Sequence, residues 1–63
     1  MADFTVQHEG TIIILYPHGR DAQEWIEEHI PEDAQRWGTG IVIEPRYFDA
    51  IAEGIREAGL EIE

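Results

Sequence analysis

The run "TIIILY" (Thr11 to Tyr16), entered through Glu9-Gly10 and left through Pro17-His18-Gly19, restricts the fold of this chain more than any other stretch. It is continuously apolar, rich in β-branched residues and bounded by turn residues, so it reads as a strand buried on both faces. Ahead of it, Phe4 and Val6 alternate with Asp3, Thr5 and Gln7, the period-2 pattern of a strand with one buried face. Glu9-Gly10 supplies a tight turn, because glycine takes positive φ without a Cβ clash. The two runs predict a hairpin whose second strand is the more central.

After the hairpin the period changes. Ala22, Trp25, Ile26, His29 and Ile30 fall at i, i+3, i+4, i+7 and i+8, one apolar stripe of a helix. Asp21 is a candidate N-cap, with Glu24 three residues on as an Asp variant of the capping box, and Pro31 ends the helix. "PEDAQRWGTG" is a connector in which a further helical turn is expected around Glu32 to Arg36, its two glycines making its end flexible. "GIVIEP" predicts a third, interior strand. Pro45 opens a second helix with Tyr47, Phe48, Ile51, Ala52, Ile55 and Ala58 as its stripe, and Gly59 is the C′ residue of a Schellman stop with Leu60 packing back. Leu60 and Ile62 are candidates for a short last strand.

The expected class is α+β: a small mixed sheet with two helices on one face, in the order ββαβα plus the possible last strand. Each helix has a single apolar stripe, which places both on the same side, and a strand-helix-strand unit predicts a parallel crossover between the second and third strands. At 63 residues the chain fills one core, a single domain spanning 1–63. There is no cysteine to staple so small a domain, which favours self-association. The first ten residues lack a basic segment followed by a long apolar one, and Ile12 to Tyr16 is too short to span a bilayer. A soluble, cytoplasmic protein is expected, with no membrane partner.

Chemistry is sparsely represented. The chain has no Ser, Cys or Lys, which removes the common nucleophiles, the P-loop lysine and Schiff-base chemistry. His8, His18 and His29 are too far apart for a local metal motif, and the carboxylates sit on the wet sides of helices rather than in a cleft. No enzyme activity, catalytic residue, metal or cofactor is expected. His18, in "PHGR" after the central strand, marks a loop where α/β folds tend to hold ligands, although Gly19 alone is too little glycine for a phosphate loop.

Charge is the remaining signal. Fourteen Asp and Glu oppose four Arg, a formal charge of -10. Such a chain is repelled by nucleic-acid backbones and anionic membranes, so direct nucleic-acid binding is not expected. Five carboxylates lie within "EWIEEHIPED" (Glu24, Glu27, Glu28, Glu32 and Asp33), and Asp49, Glu53 and Glu57 lie at i, i+4 and i+8 opposite the second stripe. Trp37 stands beside Arg36 in the connector. It is either a lid over a sheet edge or a contact residue, since Trp and Arg are enriched at binding hot spots.

"HEGTIIILYP", "AQEWIEEHIPEDAQRWG" and "VIEPRYFDAIAEGIREAGL" together resemble a group of short acidic proteins encoded in bacterial phages and prophages, over most of the chain from His8 to Leu60. The resemblance implies context and transfers no catalytic residues. Small acidic phage proteins include inhibitors of host defence, anti-CRISPR proteins among them, several of which mimic nucleic-acid charge. The expected function is therefore inhibition or modulation of a basic, nucleic-acid-binding bacterial protein or ribonucleoprotein complex in the host cytoplasm. The candidate partner-binding residues are the eight carboxylates above together with Trp37. The alternative is a small homodimeric assembly module of phage origin, without nucleic-acid mimicry, whose exposed sheet face or first strand pairs with another copy.

Overall fold

The computed structural model describes residues 2–63. It contains β1 (Phe4–Glu9), β2 (Ile12–Pro17), α1 (Arg20–His29), β3 (Arg36–Trp37), β4 (Gly40–Ile43) and α2 (Pro45–Glu57). The class is α+β: a four-stranded antiparallel sheet in the order β1-β2-β4-β3 with two helices. The hairpin of β1 and β2 turns on Gly10-Thr11, with Glu9 opposite Ile12 and Gly10 at φ 62. The central position of β2 is as expected.

Register decides the two faces. Val6, Leu15 and Ile41 lie across from one another, as do Ile13 and Ile43. With Phe4 they form the face on which the helices pack, because side chains alternate along each strand. Phe4, Leu15, Ile41 and Ile43 join Ala22, Trp25 and Ile26 of α1 and Ile55 of α2 in one core, so both helices lie on the same face. Trp25 holds the centre, edge-on to Phe4 at 6.1 Å and stacked on His29 at 4.2 Å. A Cβ at Gly54 would lie 3.2 Å from Cζ2 of Trp25, so the missing side chain is what lets α2 approach the indole.

The connection after β2 departs from expectation. β2 and β4 are antiparallel, so no parallel crossover joins them. Instead α1 leads to β3, a strand not anticipated from the connector. β3 runs in the same direction as β2 but two places away. β4 then folds back through Gly38-Thr39 into the gap, with Trp37 opposite Gly40 and Gly38 at φ 61. The expected helical turn from Glu32 to Arg36 is reduced to one turn closed by the Ala34 amide on the Pro31 carbonyl at 3.1 Å. Extended backbone takes over at Gln35, whose carbonyl accepts from the Val42 amide at 2.9 Å.

The helix ends divide likewise. α1 starts two residues earlier than expected, with Gly19 rather than Asp21 at the N-cap and no side-chain cap bond, so Asp21 lies inside the first turn and the Asp21–Glu24 capping box does not form. Its carboxylate favours the positive helix end from there. Ile30, before Pro31, is extended as the proline requires. At the end of α2 the Schellman pattern is complete: Gly59 has φ 82, its amide donates to the Arg56 carbonyl at 2.9 Å, and that of Leu60 to the Ile55 carbonyl at 3.1 Å.

The last residues pair with β1. Ile62 bridges Phe4 in parallel, the amides of Asp3 and Phe4 donate to the Glu61 carbonyl, and the Val6 amide donates to that of Glu63. This short segment is the only parallel element among the described residues, and it meets the expectation for Leu60 to Ile62. It also occupies the outer edge of β1, so the first strand is not free to pair with another copy along that stretch.

Candidate functional site

Helical geometry carries the acidic residues outward. The buried face of α1 is Ala22, Trp25 and Ile26, and Glu24, Glu27 and Glu28 are exposed. The buried residues of α2 are Ala52 and Ile55, and Asp49, Glu53 and Glu57 are exposed in a row on the opposite side. Glu32 and Asp33 are exposed in the turn after α1.

Seven of the eight carboxylates divide into three groups, and Asp33 stands apart in the turn after α1. Glu24 and Glu28, with Asp21, border a shallow depression of about 270 Å³ between α1 and the end of α2, beside Ala58 and Leu60. Glu27 and Glu32 border a larger one of about 540 Å³ on the other flank of α1, where Arg36 and Thr39 form the far wall. The row on α2 forms the third.

Among the described residues the only ion pair joins Arg46 to Glu44 at 2.8 Å, with both side chains exposed. The Arg46 guanidinium also lies 4.9 Å from the centre of the Tyr47 ring. None of the eight candidate carboxylates therefore has a basic partner among the described residues. Their charge is directed at solvent, where it is felt over about 8–10 Å at physiological salt.

Trp37 does not close a sheet edge. It is 62% exposed at the end of β3, and its pairing with Gly40 places it on the face without helices. It is thereby separated from the acidic helix surfaces.

Two features went unanticipated. Tyr47, expected within the α2 stripe, is 53% exposed, because it stands in the first turn at the margin of the apolar arc. It borders an apolar groove of about 500 Å³ that runs between the end of α1 and the start of α2, floored by Ile41 and Ile43 and walled by Ile30, Ala34 and Ile51. Helical periodicity does not encode this groove, because its lining comes from α1, the connector, β4 and α2 together.

The His18 loop is a structural corner. His18 Nε2 lies 2.7 Å from Thr5 Oγ1, and its amide donates to the Asp3 carbonyl at 2.7 Å. His29 Nδ1 is 2.9 Å from the Trp25 carbonyl, four residues back. No three His, Cys, Asp or Glu side chains among the described residues come together as a metal-ligand set. No described helix is long and apolar enough to cross a membrane.

No protein-family profile, curated protein or solved structure matches the chain.

Proposed function

We propose that this chain is an acidic interaction protein of the phage type. It binds a basic, nucleic-acid-binding bacterial protein or ribonucleoprotein complex in the host cytoplasm and inhibits or modulates it. The observation that carries this reading is the set of eight exposed carboxylates on and beside two helices, none paired with an arginine of the same fold.

A nucleic-acid-binding groove presents Lys and Arg spaced to meet phosphates. Carboxylates at successive turns of a helix stand about 5–6 Å apart and form a rigid anionic row that occupies such side chains. The -10 charge accelerates encounter with a basic surface and excludes direct competition for the nucleic acid itself. A helix scaffold, unlike a mobile acidic tail, holds the row without a large ordering cost on binding.

The test is capture from bacterial lysate with three baits: wild type, Glu24→Gln/Glu27→Gln/Glu28→Gln, and Asp49→Asn/Glu53→Gln/Glu57→Gln. The expected result is a basic protein or ribonucleoprotein that is retained by wild type, displaced by added polynucleotide or by high salt, and lost from at least one neutralised bait. Retention that is indifferent to polynucleotide and to both neutralisations refutes charge mimicry.

A further inference from the structure

The depression of about 540 Å³ on the flank of α1 carries both signs of charge, and they are sorted by wall. One wall is helical. Gln23, Ile26, Glu27 and Ile30 fall at i, i+3, i+4 and i+7 along α1 and its C-cap, so they share one flank, and Glu32 extends it past Pro31. The other wall is the corner of the sheet. Arg36 stands opposite Ile41, whose side chain lies in the core beneath the helices, so register places the Arg36 side chain on the helix side of β3; Thr39 follows in the turn to β4.

The two walls do not neutralise each other. Among the described residues the pair of Arg46 with Glu44 is the only ion pair, so the Arg36 guanidinium is not in contact with the carboxylate of Glu27 or of Glu32. The floor between them is apolar: Ile26 is 3% exposed and Ile30 is half-buried. Two carboxylates, a hydroxyl and a guanidinium around an apolar floor have the make-up of a small-ligand site, in which a few placed polar groups orient an apolar body.

We propose that this cleft binds a free α-amino acid with an apolar side chain, taken as its zwitterion. The ammonium group sits on Glu27 and Glu32, the carboxylate on Arg36 and the Thr39 hydroxyl, and the side chain on Ile26 and Ile30. Charge selects this occupant. An anion is repelled by a chain of net charge -10. A simple cation meets the two glutamates but leaves Arg36 facing a like charge, and a neutral apolar molecule leaves all three ionic groups without a partner. An α-amino acid is neutral overall, so the net charge of the chain does not oppose it, and its two charged groups stand on one carbon, so a single molecule answers both walls. The guanidinium fork accepts a carboxylate through two parallel hydrogen bonds, which fixes the orientation of the ligand. The inference goes beyond the proposed function and does not rest on it, because a small zwitterion binds whether or not a basic partner exists.

Titration of the isotope-labelled chain with L-leucine, leucinamide and N-acetylleucine, followed through amide chemical shifts in low salt, tests the proposal. Leucinamide lacks the carboxylate and N-acetylleucine lacks the ammonium group. The amides of Gln23, Ile30 and Thr39 should shift saturably with L-leucine below about 10 mM, and each blocked analogue should bind at least about tenfold more weakly, having lost one charged hydrogen-bonding group. Arg36→Gln should abolish the preference for leucine over leucinamide, and Glu27→Gln/Glu32→Gln the preference for leucine over N-acetylleucine. All three side chains are exposed, and the dispersion of the amide spectrum checks that each variant is folded. If Arg36→Gln disturbs the two-residue β3, the paired substitution on the helix wall still decides. The absence of saturable shifts at those amides overturns the proposal, as do preferences that both variants leave unchanged. Leucinamide binding as tightly as leucine also overturns it, since the cleft is then a seat for a basic side chain. None of these failures bears on capture of a basic partner, which is absent from the titration.

Discussion

Gly40→Ala separates a specific steric argument from general propensity. Alanine in a strand is ordinarily favoured over glycine by roughly 0.5–1 kcal/mol, chiefly through the entropy of the unfolded chain. At Gly40 the new methyl collides with Ile14 and crowds Tyr16 at 2.9 Å. Ile14 is 1% exposed and β-branched, hence confined to few rotamers, and it cannot retreat without moving β2. Overpacking of this kind costs about 1–3 kcal/mol, which exceeds the entropic gain and leaves a net loss of roughly 1 kcal/mol. For a domain of this size that lowers Tm by about 4–8 °C. Thermal unfolding followed by circular dichroism measures it, with Gly54→Ala as comparison. There the helix gains up to about 1 kcal/mol of propensity against a contact of 3.2 Å to a single ring atom of Trp25, so the change should be smaller. A Tm for Gly40→Ala equal to or above wild type refutes the claim that this glycine exists to seat Ile14 and Tyr16.

Three further outcomes are expected. Ile26→Asp should unfold the chain, because an unpaired carboxylate among Trp25, Leu15 and Ile55 costs several kcal/mol, against a total stability of roughly 3–9 kcal/mol for 63 residues; loss of the far-UV helical signal reports it. Gly59→Ala should lower stability by about 1–2 kcal/mol in a urea titration, since alanine is strained at φ 82, and an unchanged midpoint contradicts the Schellman stop. The triple neutralisations Glu24→Gln/Glu27→Gln/Glu28→Gln and Asp49→Asn/Glu53→Gln/Glu57→Gln should leave Tm equal or higher in low salt, because they relieve repulsion and break no ion pair; a fall of more than about 0.5 kcal/mol in either would show that those carboxylates hold the fold together.

The elements that sequence reveals here are those with a period. Both helix stripes, the hairpin of β1 and β2 and the interior strand β4 follow from spacing, and the Schellman stop follows from Gly59-Leu60. What was hidden lies between Pro31 and Gly40. β3 has two residues, too few for an alternation to be seen, and its pairing is imposed by the hairpin that follows. A local signal was present: Gly38-Thr39 repeats the Gly10-Thr11 dipeptide of the first hairpin, with φ 61 and 62 at the two glycines. Read as a turn rather than as a flexible end, it predicts β3 and with it the antiparallel neighbour of β2. The six helical carboxylates were legible because exposure opposite an apolar stripe is geometric, and Glu32 and Asp33 because they follow the proline that ends α1. Trp37 was not, since its side of the sheet depends on a register that only β3 defines.

Salt tests whether the helical carboxylates act through charge. On α1 and α2 they attract a basic partner over about 8–10 Å at physiological salt, and added salt weakens this attraction. Neutralising Glu24, Glu27 and Glu28 should therefore weaken capture of a basic partner in low salt and change it little in high salt, where the wild type is already screened. An equal loss at both salt concentrations would mean that these side chains act through short-range contacts rather than through charge.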